Sequence, residues 1–381
     1  MLKDLELSSI ELSEKTEKIR GEVREFLDAE LAAGTFTPQC DTWLSGWDEN
    51  FSRKLGERGW LGMTWSKEFG GQELTALDRY VVTEELLAYG APVAAHWIAD
   101  RQSGPLLLRY GNEKQKKEIV PGIARGEVFF AIGLSEPNSG SDLASVSTSA
   151  NRVDGGWRIN GSKVWTSGAH SAHFMIALCR SSAKTEKRHE GLSQFVIDLS
   201  SPGVTIKPIR LMNGEHDFNE VFLDHVFVPD DMVVGEIGNG WKQSVAELAF
   251  ERSGPERFLS TFPLLVELIQ VMQEGETTER QSIAIGQIVA RLFTLREMSL
   301  GIAASLEKNI SPEIAAALVK DLGTQFECEV TEVARQFVSF PYSDKFDSLF
   351  TKALIHSPGF TLRGGTTEIL RGIIAKGVGV K

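Results

Sequence analysis

Leu134-Ser135-Glu136-Pro137-Asn138-Ser139-Gly140-Ser141-Asp142 is the stretch from which this chain is best read, with Lys163-Val164-Trp165-Thr166-Ser167 close behind it. Pro137, Asn138 and Gly140 each interrupt regular structure, so the first segment is a loop leaving the apolar run Phe129 to Leu134. Such a loop presents Ser135, Ser141 and several backbone N–H groups to whatever lies above it. Polar donors of this kind suit a flavin ring or a phosphate. The second segment sets a large flat indole beside two small hydroxyls, an arrangement suited to one face of a planar cofactor. Each motif alone reads equally well as a surface turn or a core tryptophan. The pair at this separation is far more specific.

Working outward, the hydrophobic period changes twice. Up to about Gly126 the chain reads as helices with short breaks: Leu77, Tyr80, Val81, Glu84 and Leu87 keep helical spacing, and Gly90 with Pro92 supplies a stop. From about Val128 to Gly235 short apolar or alternating runs take over, such as Phe174 to Cys179, Phe195 to Leu199, Val204 to Ile209 and Val221 to Val228. The pairs Asp154-Gly155 and Asn160-Gly161 and the triplet Ser201-Pro202-Gly203 punctuate them as hairpin turns, which predicts a small antiparallel β domain. From Gly240 the helical period returns over Trp241 to Arg252, Ile283 to Leu306 and Pro312 to Cys328. Ser311 is the expected N-cap of the last, with Pro312 at its first helical position. The expected division is 1–126, 127–235 and 236–381, an α+β layering with no dinucleotide-binding glycine fingerprint.

Composition bounds the function. With 381 residues, 42% hydrophobic and 24% charged, the chain can bury large cores in two or three domains. A net charge of −12 argues against nucleic-acid binding. No apolar run reaches membrane-spanning length, and the N-terminus lacks the pattern of a signal peptide. Cys40, Cys179 and Cys328 have no metal-ligand spacing and read as reduced packing residues of a cytoplasmic protein. The seven histidines are scattered, and no metal site is expected.

Further segments complete a pattern: Gly59-Trp60-Leu61-Gly62, Phe69-Gly70-Gly71, Arg109-Tyr110-Gly111, Gln115-Lys116-Lys117, Phe222 to Pro229, Gly235 to Trp241, and Gly365-Thr366-Thr367-Glu368-Ile369. In order and spacing, over nearly the whole length, the chain resembles the acyl-CoA dehydrogenases, flavoenzymes that desaturate acyl-CoA thioesters between their α and β carbons. The resemblance implies a helical N-terminal domain, a central antiparallel β-barrel and a C-terminal helical bundle, with FAD held between barrel and bundle. It implies that Leu134, Ser135, Trp165 and Ser167 contact the flavin ring, that Ser141 lies near the flavin and the pantetheine entrance, and that Thr366 and Glu368 lie near the phosphate–adenine arm. An electron-transferring flavoprotein would receive the electrons.

Desaturation needs a base for the α proton, donors for the enolate-like oxygen and a hydride acceptor at the β carbon. In the best-known branch the base is a glutamate at the position matched here by Gly364, which has no side chain. Either the subunit is inactive, or the base comes from elsewhere. In isovaleryl- and long-chain-type relatives it precedes an arginine on the helix after the β domain, which matches Glu251 ahead of Arg252. Apolar Leu248, Ala249 and Phe250 would raise that carboxyl's pKa, and Glu247 is the rival one turn away. Arg252 is the matching substrate-side arginine, and the Gly364 backbone N–H would still serve as a donor to the thioester oxygen.

Two segments depart from the family. Its Arg-x-x-Phe-Gly stretch, which reaches a neighbouring subunit's flavin, survives here at most as Arg280 in Thr278-Glu279-Arg280-Gln281-Ser282-Ile283. Its Gln-x-x-Gly-Gly-x-Gly stretch is replaced by Arg335-Gln336-Phe337-Val338-Ser339-Phe340, whose bulk would obstruct an adenosine–pyrophosphate arm. This resembles a heteromeric α2β2 subgroup acting on steroid side chains and other bulky acyl groups; a homotetramer with divergent loops stays open beside it. Alternative functions are a non-catalytic subunit that completes a partner's flavin site, and a flavin oxidase that uses O₂.

Overall fold

The computed structural model describes residue 7 and residues 9–380 apart from 184, 252, 253 and 309–311, and only the backbone of residues 246–251. Helices precede and follow a central run of strands, β1 (Phe130–Gly133), β2 (Ser149–Val153), β3 (Gly156–Ser167), β4 (Phe174–Arg180), β5 (Leu192–Asp198), β6 (Val204–Ile209), β7 (Phe218–Pro229) and β8 (Val233–Val234). The chain forms two compact units. One comprises residues 47–73 and 93–250, the other residues 1–46, 74–92 and 251–381.

In the strand-bearing unit the sheet order is β6-β7-β3-β2-β4-β5-β8, with β1 beside β4. The expected antiparallel barrel is corrected: the sheet is open and mixed, because β1 and β2 both pair parallel with β4. Turn pairs announce only local hairpins. After β1 the chain runs through a loop and the β2–β3 hairpin before β4 arrives, a connection long enough for parallel pairing. Asp154-Gly155 does join β2 to β3, whereas Asn160-Gly161 lies inside β3 at a shift of register against β7.

The central strands are apolar on both sides. Met175, Ala177 and Cys179 of β4 join Phe195 and Ile197 of β5 in one core, lined further by Trp157, Ile159, Val221 and Val226. Ile176 and Val196, one residue out of phase, pack on the opposite face with Leu107, Ile123 and Trp65. A period of two with both phases buried explains the continuous apolar runs.

The other unit is helical: Glu14–Ala32, Ala76–Ala88, Phe262–Gln273, Glu279–Glu307, Glu313–Phe337, Asp344–Phe360 and Thr367–Gly377. Buried carboxylates tie the two early helices to each other and to a late one. Asp78 completes a capping box with Thr75 and accepts from Thr16 Oγ1 at 2.8 Å. Glu84 takes Arg296 Nε at 2.7 Å and Arg20 Nη2 at 3.2 Å. The helix expected from Pro312 begins at Glu313 with Pro312 as its N-cap and runs on to Phe337; Ser311 lies outside the described residues. Among the described residues no helix is long and apolar enough to cross a membrane.

Candidate active site

Two segments of the sheet unit are locked to each other by one buried ion pair. Lys163, on β3, has no exposed surface and donates to Glu136 Oε1 at 2.8 Å, Leu178 O at 2.6 Å and Leu134 O at 3.3 Å. Glu136 also accepts from Ser147 N at 2.7 Å, Ser147 Oγ at 2.8 Å and Thr148 N at 2.9 Å. Burial alone would raise this carboxyl. The Lys163 charge and these donors outweigh it and hold the pKa at about 2. Val164 N donates to Ser135 O at 2.9 Å, so the loop after β1 and the bulge of β3 run side by side. The fold therefore brings Leu134, Ser135, Trp165 and Ser167 onto neighbouring backbone.

Trp165 is unusual twice over. Its backbone is left-handed at φ +60°, inside the second register shift of the β3–β7 pairing. Its indole is 57% exposed, with the ring of Phe218 edge-on at 5.8 Å. A bulge re-aims a side chain out of the ladder, and a left-handed aromatic persists only where its surroundings impose it. Below it, Asn219 of β7 donates to Thr166 O at 3.0 Å and accepts from His216 Nε2 at 2.7 Å. His170 stacks on His216 at 4.1 Å with Nδ1 3.0 Å from the Asn219 amide nitrogen; burial and then the His216 charge lower its pKa. Ser141 stands exposed on the same loop, past the bond from Ser139 Oγ to Asp142 O.

In the helical unit, Gly364 (φ +66°) and Gly365 (φ +100°) make a left-handed turn that a side chain would strain. Lys320 Nζ donates to Gly365 O at 2.8 Å. On the other side Arg363 lays its guanidinium over Trp43 at 4.3 Å and Phe360 at 4.8 Å. It donates to Asp41 Oδ2 at 2.7 Å and Ser260 Oγ at 3.2 Å. The Asp41 carboxylate is fully buried and also bonds His356 Nδ1 at 2.8 Å. Burial pushes its pKa up, but Arg363 and His356 bring it down to about 2. Glu327, equally buried, accepts from Ser260 N at 2.8 Å; there burial wins over Arg363 and raises the pKa to about 7. The buried Arg257 guanidinium lies 3.0 to 3.2 Å from where a Cβ at Gly364 would stand.

Thr366 is the N-cap of the last helix, its hydroxyl accepting from Ile369 N at 3.4 Å. Glu368 is exposed in that first turn, its carboxylate favoured by its own backbone N–H and by Thr366. Arg280 is exposed, with its guanidinium 5.6 Å from the Phe337 ring, so both departing segments meet on one side of this unit. A shallow hollow there is lined by Arg335 to Phe340 and Phe350, and Phe340 is 59% exposed. Glu251 closes the helix Gly240–Glu251; its side chain, that of Glu247, and Arg252 lie outside the described residues.

Sequence reasoning missed Asp41, Ser260, Glu327 and Arg257. Nothing in local spacing marks them, since their partners lie far away in the chain. Asp41-Thr42-Trp43 sets a charge two residues from an indole, but the stretch around it is largely polar and gives no sign of burial.

Two family models match the chain: the N-terminal domain of acyl-CoA dehydrogenases over residues 13–127, and the middle domain over residues 131–226. Acyl-CoA dehydrogenase IpdE1 of Mycobacterium tuberculosis is 33% identical, over 86% of this chain and 86% of its own length. Acyl-CoA dehydrogenase FadE34 of the same organism is 31% identical over 84% of this chain, which spans only 45% of that protein. Among solved structures, the Tcur3481-Tcur3483 steroid ACAD superposes with a TM-score of 0.87 at 26% identity, covering 97% of this chain and 99% of that one. The ChsE4-ChsE5 complex from Mycobacterium tuberculosis gives 0.84 at 27%, covering 98% and 100%.

Proposed function

The chain belongs to the acyl-CoA dehydrogenase family, and from that membership we propose that it desaturates an acyl-CoA thioester between its α and β carbons with FAD as cofactor. One observation carries the reading: the Glu136–Lys163 pair and the Val164–Ser135 backbone bond fix two segments so that Leu134, Ser135, exposed Trp165 and Ser167 lie on neighbouring backbone. That set fits a flavin ring. Bound FAD would supply the hydride acceptor. The protein's own part is to hold the ring, take the α proton and polarise the thioester.

In this proposal Glu251, at the end of its helix, is the base, and Arg252 lies on the substrate side. The Gly364 N–H donates to the thioester oxygen, and Ser141 borders the pantetheine entrance. Thr366 and Glu368 lie near the phosphate–adenine arm, with the Glu368 carboxylate away from the phosphate itself, and Arg280 is what remains of the stretch that reaches a neighbouring subunit's flavin. The sequence regions 1–126, 127–235 and 236–381 correspond to the family's three domains, in a cytoplasmic enzyme that passes electrons to an electron-transferring flavoprotein. Two solved relatives carry paired names, and one of these is called a steroid enzyme. That supports a bulky acyl group and an assembly with a second dehydrogenase-like chain, beside which a homotetramer stays open.

A second reading has its own observation. Exposed Phe340 and the hollow beside Arg280 stand where the family carries close-approach glycines, which favours a subunit that completes a partner's flavin site. Anaerobic flavin reduction separates the two, with a panel of acyl-CoAs from short chains to steroid side chains, on the chain alone and co-expressed with a homologue that keeps those glycines. Bleaching that falls by roughly two to four orders of magnitude in Glu251→Gln, with flavin still bound, supports catalysis here. Full activity in Glu251→Gln sinks that assignment.

A further inference from the structure

We propose that Asp41 is a positioning residue that acts through Arg363 to fix the left-handed turn at Gly364, and with it the direction of the Gly364 N–H. The inference rests on the reading that this N–H meets the thioester oxygen.

A turn of two glycines is reachable by the chain but not held by it, because glycine gives up more conformational freedom than any other residue. A donor to a developing oxyanion has to be held in place before the reaction begins. Here the holding is done from both sides. Lys320 Nζ grips Gly365 O at 2.8 Å. Arg363, next to Gly364 in the chain, is fixed by the Asp41 carboxylate at 2.7 Å, by Ser260 Oγ at 3.2 Å and by the Trp43 and Phe360 rings.

Asp41 is itself over-determined. Its backbone is left-handed at φ +59°, its N–H donates to Ser260 O at 2.8 Å, and its carboxylate is shared with His356. Trp43 Nε1 donates to Ser260 Oγ at 3.1 Å, closing the ring of contacts. Replacing such a buried ion pair by apolar groups is often neutral or stabilising, so stability alone explains it poorly. Orientation of the adjacent turn explains it better. Removal of the Asp41 charge leaves the guanidinium with only Ser260 and the two rings, and the side-chain hold on the turn weakens on that side.

The test uses the FAD-loaded protein, with its partner chain if one is required, and the trans-2-enoyl-CoA of its best substrate labelled with ¹³C at the carbonyl. Isotope-edited infrared spectroscopy reads the C=O stretch of the bound thioester, which falls as the donor strengthens. In Asp41→Asn the stretch is expected to move back towards its value in water. In parallel, kcat should drop by about tenfold to a hundredfold, a part of what losing a whole oxyanion donor costs, with KM little changed. Arg363→Lys, which keeps the charge but loses the fork, gives the same readout if Asp41→Asn does not fold. A lowered melting temperature with stretch and kcat both unchanged would make Asp41 structural only and overturn the inference. A wild-type stretch no lower than in water would overturn the Gly364 reading itself, and this inference with it.

Discussion

Lys163 meets Glu136 at 2.8 Å with no surface of its own exposed and only 6% of the carboxylate's, so each ion depends on the other. Lys163→Met would leave a buried carboxylate with hydroxyl and amide donors alone, at a cost of about 3–5 kcal/mol. Urea denaturation of the flavin-free protein measures it. Adding Glu136→Gln should recover part of the loss. The pH dependence has a definite sign: a carboxyl lowered from 4.5 to about 2 contributes stability that is present above pH 4.5 and lost as pH falls through about 2. The gap between wild type and Lys163→Met should therefore close in acid.

For Trp165 the expectation splits stability from binding. A left-handed backbone costs a non-glycine residue about 1–2 kcal/mol, and the edge contact with Phe218 contributes about 0.5–1.5 kcal/mol. Trp165→Gly relieves the first and loses the second, so with the exposed indole gone stability should change by no more than about 1 kcal/mol. Flavin affinity should fall roughly tenfold, the equivalent of about 1.4 kcal/mol. Fluorescence titration with FAD decides. Unchanged affinity would leave the indole without a role towards the ring, and a collapse in stability would make it a core residue.

What could be read from the sequence follows from distance along the chain. The loop at Ser135 and the indole at Trp165 announce themselves through proline, glycine and aromatic chemistry within a few residues, and the fold sets them side by side. The hairpin β2–β3 was legible for the same reason. The parallel pairing of β1 with β4 was not, since turn residues say nothing about strands that meet after an intervening hairpin. Least legible was the ring around Arg363: Asp41 reaches it from the opposite end of the chain, and Ser260 and Glu327 sit in runs whose periodicity marks only a helix and a break. Tertiary burial, not local pattern, gives those residues their chemistry.

Glu327 predicts an inverted pH dependence. Its pKa is raised from 4.5 to about 7, so the folded state keeps a proton that the unfolded chain releases. Stability from this group is complete below pH 4.5 and is lost as pH climbs through about 7. Glu327→Gln keeps an acceptor for the Ser260 N–H and cannot ionise. Its melting temperature should match wild type near pH 4.5 and exceed it at pH 8. A difference independent of pH would show that Glu327 stays ionised throughout, held by Arg363 and the Ser260 amide against the nearby Asp41 charge.

Gly364 carries the last expectation, because the position invites restoring the family's usual base. Gly364→Ala meets two obstacles. Its φ of +66° costs a side chain about 1–2 kcal/mol, and the new Cβ would stand 3.0 Å from Arg257 Nη1 and 3.1 Å from Nη2. Arg257 has little room to yield, being 1% exposed with its guanidinium 5.1 Å from the Trp43 ring. Gly364→Glu in a Glu251→Gly background would place a carboxylate beside that same guanidinium. An adjacent cation favours the ionised form and lowers the pKa, the opposite of what a base for a weakly acidic α proton needs. The double variant should thus reduce its flavin far more slowly than wild type, and Arg257→Met added to it should raise the rate if the protein still folds. Anaerobic flavin bleaching measures all three. A double variant as fast as wild type would mean that the guanidinium moves aside, and that position 364 is open to a base after all.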